Sequence, residues 1–395
     1  MNRAGPAVAI VAASMIAVGA MASCFSDDNA AGAADSGVVD STTPSCTTGL
    51  CDASTADVLG VDVTFSDTGA DTGANDASND GGVPPLDAAA CTDAGTGQCL
   101  VFLATNQANA TGTSIDATYV YWVDEALEGG VMRTPINGGP IVTLAANQAG
   151  SNVTAVDSTS IYWTNEIAQT VSKAPLDGVP DGGSATTLAA GLVSPFGIVV
   201  DANGVYWTNT NGGTVMSAPL TGTPDGGPGI IIASGLSSPI YLAEDATTLY
   251  WTNLDGRVLS APKSGVPDGG SPTVIASGIA TPYGIAVDAN NVYFTSNVAD
   301  GGVLMAPKTG VPEGQSPTVI AAGVGAVDSV AVSGALVFFS TGANGTGTVS
   351  MAPLDGGAVT LLANGQTTPN TVQVDAQNVY FCDFAFGRVL ELVRP

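Results

Sequence analysis

Residues 194–235 read SPFGIVVDANGVYWTNTNGGTVMSAPLTGTPDGGPGIIIASG, and this stretch decides the fold. Gly197–Val200 is a short aliphatic run closed by the turn residues Asp201–Gly204. Val205–Thr208 is a second run, and Thr214–Ala218 a third. Pro219 ends the third run, because proline has no N–H to give to a ladder. Pro224–Gly227 is turn chemistry, and Ile230–Ala233 is the fourth run. Short β-branched and aromatic runs separated by Asp, Asn, Gly and Pro read as four strands, here called a to d.

The unit repeats. Its aromatic pair recurs as Tyr121-Trp122, Tyr162-Trp163, Tyr206-Trp207, Tyr250-Trp251, Tyr293-Phe294, Phe338-Phe339 and Tyr380-Phe381, at spacings of 41, 44, 44, 43, 45 and 42 residues. A period of about 40 to 45 with several strands per unit marks a propeller blade. Strands a, b and c occur seven times, but no seventh d strand follows the last set. Its counterpart stands before the first a strand, as Leu100–Ala104. The expected fold is therefore an all-β, seven-bladed β-propeller of four-stranded blades over residues 99–395. The N-terminal strand joins the three C-terminal strands, which closes the ring and leaves no open stack.

Upstream the chain changes character. Residues 1–23 hold one charge, Arg3, and an apolar stretch from Ala7 to Met21, the pattern of a secretory signal peptide. Met21-Ala22-Ser23-Cys24 resembles the bacterial lipobox. The resemblance implies cleavage after Ser23, lipidation of Cys24 and anchoring in a lipid bilayer. The residues after Cys24, Phe25 and Ser26, favour the outer membrane or cell surface of a Gram-negative bacterium by that analogy. Residues 24–98 are mostly Ala, Asp, Gly, Ser and Thr, with thirteen of the 35 acidic residues between 25 and 98. Such a segment buries too little apolar surface to offset chain entropy, and reads as a disordered acidic tether. The Asp-rich run Asp67–Asp76 lacks the close spacing of a calcium loop, so it reads as solvated linker.

Charge and composition exclude several functions. The net charge is −27, which repels phosphate backbones and makes nucleic acid an unsuitable partner. There is no histidine, so Ser-His-Asp triads and His-ligated metals are ruled out. Cys46, Cys51, Cys91, Cys99 and Cys382 fit an exported chain, with connectivity left open. Cys99 and Cys382 are expected in one blade, two ladder spacings or about 10 Å apart.

The repeats resemble YWTD-type propeller repeats of the low-density-lipoprotein-receptor class, on Gly284–Asp288, Val205–Asn209 and Leu249–Asn253. That class has six blades. Its final acid survives here only as Asp124 and Asp383, so its receptor-ligand function does not carry over.

The aromatic pairs and the a–b turn aspartates (Asp116, Asp157, Asp201, Asp245, Asp288 and Asp375) recur in fixed places, as scaffold does. A site breaks the repeat. Five residues before each turn stand Thr111, Asn152, Phe196, Ile240, Tyr283, Asp328 and Asn370. In a propeller these rim the central channel. Asn152, Phe196, Tyr283, Asp328 and Asn370 form the candidate ligand rim, suited to a protein, glycan or small ligand. Farther along strand a come small groups such as Ser114, Ala155 and Ala243. The expected function is a monomeric, non-enzymatic binding or scaffold lipoprotein, with no catalytic residue and no cofactor. The alternatives are a metal-dependent propeller hydrolase or lyase with a cation such as Ca2+ in the channel, and a structural envelope component.

Overall fold

The computed structural model describes residues 92–93, 98–126, 129–148, 150–180, 183–267, 270–342 and 346–393. The signal segment, Cys24, almost all of the tether, and Cys46, Cys51 and Cys91 lie outside them. Every element among the described residues is a β-strand. They form seven antiparallel sheets, each in the order a-b-c-d.

The inner strands a are Ala110–Ile115, Ser151–Val156, Pro195–Val200, Pro239–Glu244, Pro282–Val287, Val327–Ser333 and Pro369–Val374. The last blade is completed by Cys99–Ala104, which pairs with Arg388–Val393 in the register Leu100 to Leu392 and Phe102 to Leu390. Thr92–Asp93 adds a short fifth strand outside it, Thr92 opposite Leu100.

Successive residues of a strand point to opposite faces of the sheet. The aromatic pair on strand b uses this to bind blade to blade. Tyr121 packs with Trp163, Tyr162 with Trp207, Tyr206 with Trp251, and Tyr250 with Phe294. Tyr293 packs with Phe339, and Phe338 with Phe381. The seventh core joins Tyr380 to Trp122 and so closes the ring. All four tryptophans are fully buried.

Polar groups fix the two ends of each unit. The turn aspartate uses one oxygen for two turn amides and the other for the tyrosine hydroxyl: Asp245 accepts from the Thr247 and Thr248 amides and from Tyr250 at 2.9 Å. Asp116, Asp157, Asp288 and Asp375 make the same clasp with Tyr121, Tyr162, Tyr293 and Tyr380. Blade 6 has Ser333 and Phe338 at these places and so lacks the carboxylate and the hydroxyl together.

Strand a carries an irregularity in every blade, for example between Pro195 and Ile198. In the middle blades the threonine after the aromatic pair serves the backbone this exposes. Thr208 accepts from the Gly197 N–H at 2.9 Å and donates to the Ile240 carbonyl of the next blade at 2.6 Å. Thr252 does the same between Tyr241 and Tyr283.

Cys382 stands in the blade that the Cys99–Ala104 strand completes, as expected. It occupies the threonine place of blade 7, is fully buried, and its sulfur lies 2.9 Å from Thr113 Oγ1. The register sets Cys382 opposite Val389 and Ala104, whereas Cys99 precedes the Leu100–Leu392 pair at the other end of the ladder. Along-strand separation adds to the two spacings between strands, so these two cysteines do not approach bonding distance.

Candidate functional site at the channel mouth

The seven a strands surround a cavity of about 310 Å³. Backbone proximity sets its bore. A Cβ on Gly197 would stand 2.5 Å from the Ile240 carbonyl oxygen, and one on Gly284 would stand 2.9 Å from that of Asp328. The wall mixes aliphatic groups such as Ile198, Leu242, Ile285 and Val330 with polar ones, among them Ser114, Thr154, Ser329 and Gln373. Near one end it carries Tyr241 and Asp328, and near the other Glu244.

The rim residues do not act as one equal ring. Thr111 and Ile240 are buried. Asn370 donates its amide to Thr111 Oγ1 at 2.9 Å, and Asn152 donates to the Pro195 carbonyl at 3.3 Å. These two asparagines therefore brace adjoining blades. Phe196, Tyr283 and Asp328 are half-buried and lie toward one side of the mouth.

Tyr241, which column-by-column reading of the rim missed, links them. Its ring centroid is 5.2 Å from that of Phe196, at 77°, and 5.2 Å from that of Tyr283, at 75°. Edge-to-face pairs of this geometry hold three rings in a fixed ladder. The signal for it was present one residue past the rim column, where the other blades have Gly112, Val153, Gly197, Gly284, Ser329 and Thr371. A tyrosine there is the outlier in size.

Glu125 was also missed. It stands in the b–c loop of blade 1, just after Asp124, whose carboxylate is taken by the Ala108 and Ala126 amides. Burial, then the charges of Glu166 and Asp124, push the Glu125 carboxyl up to about 7. Burial pushes Asp328 up to about 6, against the hydrogen bond it accepts from Asn297. Burial raises the Tyr241 hydroxyl well above its usual value, and the Tyr283, Asp328 and Glu125 charges add to this. Of these groups, Tyr241 and Asp328 line the same end of the cavity.

The oxygen donors of the mouth do not suit a cation cage. Asp328 accepts from Asn297 and Asn370 from the Thr371 hydroxyl, while Asn152 and Asn370 spend their amide N–H groups on the Pro195 carbonyl and Thr111. Among the described residues no three of Asp, Glu, Cys or His converge. No catalytic step is derived through a metal.

No protein-family profile and no curated protein matches this chain. Solved structures do. The chain is similar to a virginiamycin B lyase from Staphylococcus aureus, with TM-score 0.59 and 15% identity over 75% of this chain and 99% of that one. A streptogramin B lyase gives TM-score 0.58 and 14% identity over 74% and 96%. The WD40 propeller domain of Doa1 gives 0.57 and 12% over 75% and 97%. At these identities the likeness shows the fold. It also overturns the expectation that the chain is no enzyme, since that rested on the lack of a familiar constellation. The first two neighbours are lyases built on this same fold.

Proposed function

We propose that this propeller is an acid–base enzyme of the lyase or hydrolase class, working at the channel mouth. Asp328 and Glu125 move the proton, and Tyr241 donates a hydrogen bond to the charge that develops. One observation carries the reading: Asp328, its carboxyl pushed up by burial, and the protonated Tyr241 share one end of a 310 Å³ cavity, with the raised Glu125 carboxyl in the neighbouring b–c loop of blade 1. A carboxyl with a pKa of 6 to 7 is present in both forms at neutral pH, the condition for efficient proton transfer. A fixed hydroxyl aimed at a developing oxyanion adds electrostatic stabilisation. The two lyase neighbours support the class. The solved Staphylococcus aureus enzyme is a catalytically inactive histidine-to-alanine variant bound to quinupristin. This chain has no histidine, so proton transfer here falls to carboxyls.

The test is turnover by the full chain across a panel of cyclic esters, linear esters and β-elimination substrates. The expected result is activity that depends on pH between 5 and 7 and falls at least 100-fold in Asp328→Asn or Glu125→Gln. Activity unchanged in both variants, or no turnover of any panel member, defeats the reading.

We also propose that the chain is exported and held at a bilayer by lipidated Cys24, and that its repeats are of YWTD-like character. The support is the Met21–Cys24 signature and the aromatic-pair repeats. Cys24→Ala should shift the chain from the membrane fraction to the soluble fraction and abolish incorporation of labelled palmitate. A variant that stays membrane-bound sinks the anchoring claim.

A further inference from the structure

We infer that the mouth selects a small organic cation, an ammonium or quaternary ammonium group carried on an apolar body. The inference rests on the mouth being the functional site and names the substrate class that suits it. Three independent features converge. The first is the half-buried ladder Phe196–Tyr241–Tyr283, in which Phe196 and Tyr241 rest on the core of blades 2 and 3 while remaining partly exposed at the mouth. Aromatic faces attract cations, and rings fixed edge to face offer a surface set before binding.

The second is charge without a counter-charge. Glu125, Glu166, Asp124 and Asp328 belong to this end, and each of the six described cationic side chains is engaged elsewhere. Arg133 stacks over Tyr119, and Lys173 donates to the Leu220 carbonyl. Arg257 pairs with Asp255, Lys263 with Asp201 and Glu244, and Lys308 with Asp245. Arg388 lies over Phe102 and Phe386. An arriving cation supplies the missing partner. An anion would meet only repulsion, and a neutral ligand would leave the carboxyls as they are. The third feature is the cavity below Tyr241 and Asp328, whose aliphatic members Ile198, Leu242, Ile285 and Val330 take the apolar body among polar neighbours.

The proton balance follows. A cation favours the ionised carboxyls, so binding releases protons held by Asp328 and Glu125, and affinity rises with pH between 5 and 8. The groups facing these two are Asn297 at Asp328, Glu166 and Asp124 at Glu125, and Tyr241 and Tyr283 between them. None of them is a cation that could reverse the sign.

The experiment is calorimetric titration of the full chain with benzyltrimethylammonium, benzyl alcohol and benzoate at pH 5 and pH 8. It is repeated at pH 6.5 in two buffers of different ionisation heat. The ammonium should bind at pH 8, weaken at least fivefold at pH 5, and release protons at pH 6.5. Phe196→Leu and Tyr283→Leu should each weaken it at least threefold, and Asp328→Asn should reduce the pH dependence with the melting temperature retained. Benzyl alcohol or benzoate binding as tightly as the ammonium overturns the inference, as does affinity equal at the two pH values. The two readings fail separately. Proton-linked ammonium binding with no turnover leaves the cation site standing and removes the enzyme. Turnover confined to neutral or anionic substrates, without ammonium binding, does the reverse.

Discussion

Tyr241 shows why residue-level reading reached only part of the site. Comparing one column of the repeat found Phe196, Tyr283 and Asp328, because they differ from their counterparts in size and charge. Tyr241 sits one residue on, and Glu125 in a different column, the residue after strand b, so neither entered that comparison. Thr111 and Asn370 were in the column but bond each other between the adjoining first and last blades, which no column reveals. Glu391 gives a prediction at this scale. Burial, with help from Asp375, pushes its carboxyl up to about 7. The folded chain then holds a proton that the unfolded chain loses near pH 4.3. Stability should therefore fall as pH rises from about 4 to 7 and level off above. Glu391→Gln should remove that loss, raising stability at pH 8 by up to about 3 kcal/mol with little change at pH 4. Equal melting shifts at both pH values would refute it. Asp245 acts with the opposite sign. Burial raises it, but Lys308, the Thr247 and Thr248 amides and Tyr250 outweigh this and hold its carboxyl low. Its contribution is present above the ordinary carboxylate range and is lost as pH falls through and below it. Cys382→Thr should leave the melting temperature within a few degrees of the parent, because the residue sits where other blades place threonine.

At the scale of the element, the blade was legible almost whole. Turn chemistry at Asp201–Gly204 and Pro224–Gly227 marks its strand ends, and Pro219 marks the end of its third strand. The pairing of aromatic with aromatic between blades was legible only as packing, since which ring meets which neighbour depends on how the sheets stack. The role of the threonine was not legible at all. It depends on the irregularity in strand a, which frees backbone groups of two blades for one hydroxyl. Thr208→Val should therefore cost about 2 to 3 kcal/mol, since it leaves the Gly197 N–H and the Ile240 carbonyl unmet in a buried place. Tyr250→Phe should cost about 1 kcal/mol, the usual net worth of one hydrogen bond. Chemical denaturation of the two variants checks both. A Thr208 variant no less stable than the Tyr250 variant would show that the cross-blade clip contributes little.

For the whole molecule, a count of strands sufficed to place the ring closure, and the Leu100–Leu392 register agrees with it. What a count could not give is the direction of the cysteine-bearing ends. Deleting residues 1–104 removes strand d of the last blade and bares the apolar edge at Leu390 and Leu392; the product should aggregate. Deleting residues 1–91 keeps that strand and should leave the melting temperature unchanged. If both truncations stay monomeric and melt alike, the closing strand is dispensable. The closure also sets a waiting time. Cys99–Ala104 is made before any blade, yet its partner Arg388–Val393 is made last. Throughout synthesis an apolar segment, Leu100 to Leu103, waits for the C-terminal strand that will cover its inner edge. Short uncharged β-forming segments left open in this way seed aggregation, and charges flanking them suppress it. The thirteen aspartates between residues 25 and 98 lie immediately upstream. They give the nascent chain an electrostatic guard over the strand that must stay single longest.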